Sequence, residues 1–256
     1  MARIPDSLRA LLENLIDYAG LYPPAGLPIA EVLENYQSYR ESPAGWMLNR
    51  LVLPAAKLPD APLRDGWRVT LLVDGEPGPL PPQIETLETK LASRLSLPTY
   101  CETALDAVPE GAYAKVRTGG LTPDAIPAPA AIADFLCTAA QLRKAFKATA
   151  GLHHPLRSMR PLTYAVDTPR ATMHGFVNVF AAAAFAWQGE ERAVVLDVLS
   201  DGNPESFRFL EGTLRWNSRA VATPRIQAAR RAFAHSFGSC SFTEPVADLQ
   251  ALGWLD

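Results

Sequence analysis

The sequence predicts an α/β fold of the (β/α)-barrel, TIM-type class, with an irregular closure allowed and an open parallel α/β sheet as the alternative. Short apolar runs alternate with amphipathic helical patterns along most of the 256 residues, which is typical of parallel βαβ units. Polar side chains collect on or just after several predicted strands, where a barrel places its active site. No GxGxxG sequence follows an early strand, which counts against a dinucleotide-binding sheet. We therefore favour the barrel.

Hydrophobic spacing and turn residues divide the chain into helices and strands. About six or seven central strands can be counted. We expect residues 1–256 to form a single barrel-like domain, with residues 1–45 as an N-terminal helical segment and lid-like loop. The predicted strands span residues 48–53, 67–73, 99–105, 113–118, 146–150 and 193–199, and a hairpin spans 207–216. The predicted helices span residues 8–16, 29–36, 82–95, 132–139 and 168–188, and the last substantial one begins at 223.

Charge and cysteine content restrict the class of protein. The 24 basic and 27 acidic side chains are well mixed and give a net charge of −3, which offers no cationic surface for nucleic acid or an anionic membrane. Three widely spaced cysteines fit a reducing compartment better than a disulfide framework. The most apolar run, residues 175–187, is shorter than a bilayer requires. We expect a cytoplasmic protein without a cofactor, whose partner is a small-molecule substrate; a homo-oligomer is compatible with the sequence.

Lys147 lies in the most informative segment, residues 146–155. A short apolar strand there holds a lysine and ends in a Gly turn with two adjacent histidines, His153 and His154. Burying an ammonium group is costly unless it is paired or neutralised, so a lysine in such a strand indicates a functional site. Thr149 shares the face of Lys147 because side chains alternate along a strand, and we expect it to contact the substrate.

Three further charged residues are expected to lie near Lys147. Lys115 and Arg117 share one face of the predicted strand 113–118, and Glu102 lies in the preceding predicted strand. Cations crowded at the mouth of a barrel depress each other's pKa, which is one way to obtain a neutral amine. The alternative is that Lys115, Arg117 and Glu102 form a structural ion-pair network.

The leading hypothesis is a cofactor-independent enzyme that acts on a small carbonyl or anionic substrate. Lys147 forms a Schiff base in a lyase or aldolase type of reaction, and Lys115 tunes its pKa. Glu102, His153 or His154 moves protons, and Arg117 binds a carboxylate or phosphate. A non-catalytic barrel that only binds an anion is a further alternative.

Histidines support a different alternative, a metal-assisted hydrolase. His153, His154 and His174 could contribute ligands, although no HxH or HExxH spacing is present and we expect no metal. His174 precedes a helix that carries Asn178 one turn later, so these two could instead hold a carboxylate or an oxyanion. The structural interpretation of His174 is a core histidine near a buried helix, with its hydrogen bonds satisfied inside the protein.

Cys240 supports a thiol-based hydrolase. It lies in the tight segment 237–242, which follows a predicted helix containing His235, and His235 could act as its base. A buried, inert cysteine is the more common situation at such a junction. We therefore expect Cys240 to contribute to substrate binding or, in this alternative, to act as a nucleophile.

Several motifs together resemble those of an uncharacterised bacterial protein family. They are KVRTGG at 115–120, FKATAGLHHP at 146–155, HGFVN at 174–178, FGSCSF at 237–242 and DYAGLYPPA at 17–25. The resemblance covers nearly the whole chain and implies no particular activity. A strand-borne lysine followed by a Gly turn is also loosely similar to class I aldolases of the deoxyribose-phosphate type, a similarity that covers few residues.

Overall fold

A computed structural model describes residues 4–256 and contains a closed barrel of eight parallel strands. Seven of these strands are consecutive in the chain and in space, and the eighth closes the barrel between the seventh and the first. The strands are β1 (Ile16–Tyr18), β2 (Leu48–Pro54), β3 (Val69–Leu72), β4 (Ile84–Thr89), β5 (Thr99–Cys101), β6 (Tyr113–Arg117), β7 (Phe146–Thr149) and β13 (Ala234–Ser239). The predicted barrel is therefore confirmed, and the open sheet is excluded.

Helices surround only part of the barrel. The strands β2 to β6 follow one another through loops and short 3₁₀ turns, and the α-helices precede β1, follow it, or lie after β6. No helix within residues 4–256 is long and apolar enough to cross a membrane. The α-helices are α1 (Asp6–Leu12), α2 (Ile29–Glu41), α3 (Pro129–Gln141), α4 (Phe176–Gln188), α5 (Arg192–Ser200), α6 (Thr223–Ala232) and α7 (Thr243–Ala251).

The main core lies between the barrel wall and α4. Every residue of α4 from Phe176 to Ala186 is buried, because this helix packs against α3, α5 and α6 as well as against β13. Phe176 stacks on Phe237 of β13, with ring centroids 5.2 Å apart, and Phe180 stacks on Phe146 of β7. A helix that is apolar on all sides is stable in water only when it is buried on all sides.

Two small antiparallel sheets are present in addition to the barrel. β8 (Ser158–Pro161) pairs with β9 (Arg170–Met173) in the long connection that follows β7. β10 (Phe207–Leu210), β11 (Thr213–Trp216) and β12 (Arg219–Ala222) form a three-stranded sheet before α6. The predicted hairpin over residues 207–216 is confirmed.

Several elements differ from the expectation. Residues 84–89 form a barrel strand within a predicted helix, and residues 193–199 belong to helix α5 although a strand was predicted. The strand 16–18 begins at the last residue of the predicted helix 8–16, and the strand 234–239 begins within the predicted helix that contains His235. The predicted helix over 168–188 begins only at Phe176 and is preceded by β9. The N-terminal segment 1–45, expected to be a helical segment with a lid-like loop, contributes β1 to the barrel; its first three residues lie outside the described part of the chain.

The loops after β6 and β7 touch each other through two glycines. A Cβ atom on Gly119 would lie 2.9 Å from the Cα of Gly151, closer than packed carbon atoms tolerate. Gly151 also has a φ of +76°, a conformation that other residues rarely adopt. This contact fixes the path of the chain toward His153 and His154.

Candidate functional site

Lys147 lies in the interior of the barrel and is ion-paired to two carboxylates. Its Nζ atom is 2.5 Å from Oδ2 of Asp17 and is also hydrogen-bonded to Oε1 of Glu88. These residues belong to β7, β1 and β4, which are not neighbours in the barrel wall, so their side chains meet across its interior. Lys147 therefore connects three separate parts of the barrel from inside.

Four hydrogen-bond donors surround the side-chain carboxylate of Asp17. Asn49 Nδ2 and Ser236 Oγ each donate to it over 2.7 Å, and the backbone N–H of Arg50 donates over 3.1 Å. Lys147 is the fourth donor. Burial alone would raise the pKa of Asp17, but the charges of Lys147 and Arg50 and these hydrogen bonds outweigh it and lower the pKa. The side chain of Asp17 is therefore held in its ionised form.

A row of alternating charges continues from Lys147 toward solvent. Glu88 Oε2 is 2.8 Å from Nζ of Lys115, which is 2.9 Å from Oε2 of Glu102, and Arg117 is 3.0 Å from Oε1 of Glu102. The side chains become more exposed along the row, from 1% for Lys147 to 8% for Lys115 and 50% for Arg117. The structure therefore brings together four of the predicted site residues, and we call this row the charge chain.

The expected pKa effect of crowded cations is wrong for Lys147. Its burial lowers the pKa, but the charges and hydrogen bonds of Asp17 and Glu88 outweigh burial and raise it well above the ordinary value of 10.5. The same lysines hold the pKa of Glu88 below its ordinary value despite burial. The physical reason is that carboxylates separate the two lysines, an arrangement that the sequence did not reveal.

A cavity of about 320 Å³ opens at the carboxyl ends of the strands, beside the charge chain. Lys115 and Glu88 line it, together with Leu72, the exposed Lys90 and Tyr22 from the loop that follows β1. The hydroxyl of Tyr22 is buried and has no hydrogen-bond partner in the described chain. Burial raises its pKa above the ordinary value of 10, and nearby Glu88 raises it further, so the hydroxyl keeps its proton. A buried donor without a partner, at the wall of a cavity, is suited to a bound ligand.

A second group of reactive side chains lies in the segments that follow β7 and β13. Cys240 Sγ is 4.0 Å from Nε2 of His153, and Nδ1 of the same ring is 3.0 Å from Oε2 of Glu244. His154 Nδ1 is 2.6 Å from Oδ2 of Asp248, and its Nε2 is 3.9 Å from Oε1 of Glu244. The adjacent histidines therefore have different hydrogen-bond partners, Glu244 for His153 and Asp248 for His154, and both carboxylates lie on α7.

His235 is not the base of Cys240, contrary to expectation. It lies near the start of β13, and its Nδ1 atom is 2.8 Å from the hydroxyl of Tyr100. His235 and Tyr100 line a cavity of about 470 Å³ at the amino ends of the strands, whereas Cys240 follows the carboxyl end of β13. The predicted helix around His235 is a strand, which places His235 and the thiol toward opposite ends of the barrel.

Asn178 has structural partners for its whole side-chain amide and is not available for an oxyanion, whereas His174 has a partner at Nε2 only, and its Nδ1 is buried without a partner in the described chain. The amide of Asn178 donates to the backbone carbonyls of Val198 and Asp201 and accepts from the N–H of Arg157, so its side chain is fully used. His174 Nε2 is 2.7 Å from the carbonyl oxygen of Pro127. Within residues 4–256, no three or more His, Cys, Asp or Glu side chains are grouped so that they could hold a metal ion.

Sequence reasoning missed the carboxylates that give both groups their chemistry, namely Asp17, Glu88 and Glu244, and it also missed Tyr22. The signal for Asp17 and Glu88 was present, because each acid stands in a short apolar run and a buried lysine needs such a partner. Thr149, predicted to face the substrate, lies at the end of β7 and pairs in register with Arg117.

No family model, curated protein or solved structure matches this chain.

Proposed function

We propose that the protein is an enzyme that forms a Schiff base between a barrel lysine and a small carbonyl compound carrying an anionic group. The observation that carries the proposal is the shared use of Glu88 by two lysines of different accessibility. The side chain of Lys147 is buried and forms ion pairs with two carboxylates, whereas Lys115 borders the cavity at the carboxyl ends of the strands. Barrel enzymes carry out their chemistry at that end.

Lys115 is the nucleophile in this proposal, and Lys147 is a fixed positive charge. Both lysines lie between two carboxylates, so access to the substrate separates their roles. Lys147 is enclosed in the barrel interior, where Asp17 and Glu88 raise its pKa and oppose the loss of the proton that attack on a carbonyl carbon requires. Lys115 has a closer route to substrate because it lines the cavity. The sequence-based hypothesis gave these two roles to the opposite lysines.

The neighbouring groups suit the proton transfers of imine formation. The ammonium of Lys115 passes a proton to Glu102, whose Oε2 is 2.9 Å away, and its free electron pair forms the C–N bond. The carbonyl oxygen takes up two protons, one from the attacking amine and the one that Glu102 received, while the Tyr22 hydroxyl donates a hydrogen bond to it, and the oxygen leaves as water. Glu88 remains ionised beside the resulting iminium and balances its charge, and the iminium then withdraws electrons from an adjacent C–C or C–H bond.

The class of substrate follows from the cavity. About 320 Å³ lies at the lower end of the range for small-molecule sites, which suits a compound of few carbon atoms. Lys90 lines the cavity, is exposed and forms no ion pair within residues 4–256, so it is available for a carboxylate or phosphate. Arg117, expected to bind the anion, is instead engaged by Glu102.

Borohydride trapping tests the proposal. The protein is incubated separately with pyruvate, glyoxylate and glyceraldehyde 3-phosphate, reduced with sodium borohydride, and examined by intact mass spectrometry. We expect one stable adduct per chain with at least one of these probes, because reduction converts the imine to an amine that cannot hydrolyse.

Matched variants make the outcome specific. Lys115→Met should abolish the adduct, and Lys90→Met should weaken binding of the anionic probe without changing the maximal extent of trapping. An adduct that persists in Lys115→Met and is lost in Lys147→Met would return the nucleophilic role to Lys147. Tight binding of these anions with no adduct in any condition would favour a non-catalytic anion-binding barrel.

A further inference from the structure

We propose that Cys240, His153 and Glu244 form a second reactive centre, in which the thiol is acylated by small esters and the acyl-enzyme is hydrolysed by water. The three side chains are arranged as nucleophile, base and orienting carboxylate. Sγ lies 4.0 Å from Nε2 of His153, and Nδ1 lies 3.0 Å from Oε2 of Glu244. This order of contacts is the general geometry of an activated nucleophile.

The three residues lie in the segments that follow two neighbouring strands of the barrel and in the helix after the second strand. His153 follows β7, and Cys240 directly follows β13, which pairs with β7. Glu244 lies in the first turn of α7, and its backbone N–H is hydrogen-bonded to Ser241 Oγ over 3.1 Å. Both ends of the imidazole are therefore held by elements that are fixed to the barrel.

The charge state of His153 suits a thiolate partner. Burial lowers the pKa of its imidazole, but the hydrogen bonds and charges of Cys240 and Glu244 outweigh burial and raise the pKa to about 9. An imidazolium stabilises an adjacent thiolate, which is the reactive form of cysteine. Burial raises the thiol pKa of Cys101 and of Cys137, and neither thiol has a histidine beside it in the described chain.

The surroundings define the size of the acyl group. Tyr164 places its hydroxyl 4.0 Å from Sγ and 3.4 Å from Glu244 Oε2, and it lines, together with His153, a cavity of about 50 Å³. Such a volume holds about three or four water-sized groups. The side chain of Tyr164 is largely exposed, whereas Cys240 is buried, so the tyrosine covers the thiol on the solvent side. His153 and Glu244 line this cavity, and the thiol of Cys240 lies behind His153 and Tyr164, 4.0 Å from each, so we assign an acetyl-sized acyl group to this space.

The reaction balances with an ester and water as reactants. The thiolate attacks the ester carbonyl carbon and forms a C–S bond, and the C–O bond of the ester breaks as the alkoxide takes the proton from His153. His153 then accepts a proton from water, the hydroxide attacks the thioester carbon, and the C–S bond breaks. The products are a carboxylic acid and an alcohol, and the thiolate–imidazolium pair is restored.

Acetylation with p-nitrophenyl acetate tests this centre. We expect a burst of p-nitrophenolate equivalent to one site per chain, followed by slower turnover, and an acetyl group that peptide mapping places on Cys240. The half-buried Cys137 is the internal comparison, since a reaction governed by exposure alone would modify it before the more buried Cys240.

Variants test the roles of the three residues. His153→Asn should slow the burst by about 100-fold, and Glu244→Gln by about tenfold, while Cys137→Ser should leave it unchanged. Acetyl groups found on Cys137, or a burst that is equally fast in His153→Asn, would overturn the proposal. Mapping of the wild-type protein decides the site even if Cys240→Ala does not fold.

Discussion

Lys147 Nζ and Asp17 Oδ2 lie 2.5 Å apart in the barrel interior, although 130 residues separate them in the chain. The contact joins β7 to β1 across the space that in many barrels is filled by apolar side chains. Charges are tolerated there because every one of them has a partner of opposite sign within hydrogen-bonding distance. Removing one member of the charge chain should consequently affect folding as well as chemistry.

The first prediction concerns the stability that depends on Lys147. Lys147→Met leaves the carboxylates of Asp17 and Glu88 buried without their common cation, so we expect a loss of about 3 to 5 kcal/mol of unfolding free energy. Urea denaturation measures this loss. Lys57→Met is the control, because Lys57 pairs with Asp60 on the surface over 3.8 Å and its removal should change stability by about 0.5 kcal/mol or less. An equal, small effect of both substitutions would contradict the account.

The second prediction separates stability from ligand binding at Tyr22. Its hydroxyl is buried without a partner, so Tyr22→Phe should leave the protein equally stable or stabilise it by about 1 kcal/mol. The same substitution should lower the yield of the borohydride adduct, since the phenol is the proposed hydrogen-bond donor to the substrate oxygen. Thermal denaturation and trapping are measured on the same preparation. A clear loss of stability with unchanged trapping would show that the hydroxyl has a structural partner.

The third prediction is a pH dependence that originates at His235. Burial, and then the charge of Arg230, lower its pKa to about 4, so the folded protein holds the neutral imidazole. A lowered histidine pKa means that this stability is present above the unfolded pKa of 6.5 and is lost as the pH falls toward 4. The stability difference between the wild type and His235→Phe should shrink by up to about 3 kcal/mol over that interval. A difference that is independent of pH would contradict this assignment.

The barrel was predictable from the sequence because several of its strands are short apolar runs bounded by Pro, Gly or Asp. The strands that were missed have weak or ambiguous patterns. Residues 84–89 form a strand, but Ile84, Leu87 and Leu91 also fit helical spacing. The reverse error occurred in α5, where a run of valines has high strand propensity although the buried positions follow helical spacing. Tertiary packing overrides propensity in both cases.

The candidate site was predictable only in part. Lys147, Lys115, Arg117 and Glu102 converge as expected, because each was placed correctly on or next to a strand. The carboxylates Asp17 and Glu88 were not placed, because Asp17 directly follows the predicted helix 8–16 and Glu88 lies within the predicted helix 82–95. Their positions reverse the expected electrostatics, since opposite charges between two lysines raise a pKa that crowding would have lowered.

The most direct test of this account is an ¹⁵N NMR titration of the Lys147 ammonium group in the intact protein. The charge chain predicts that Lys147 remains protonated to pH values above the ordinary lysine pKa of 10.5, because Asp17 and Glu88 stabilise its charge. Removing one of these carboxylates, as in Glu88→Gln, should lower the pKa. A Lys147 that loses its proton near neutral pH in the wild type would contradict the account and restore the crowded-cation mechanism.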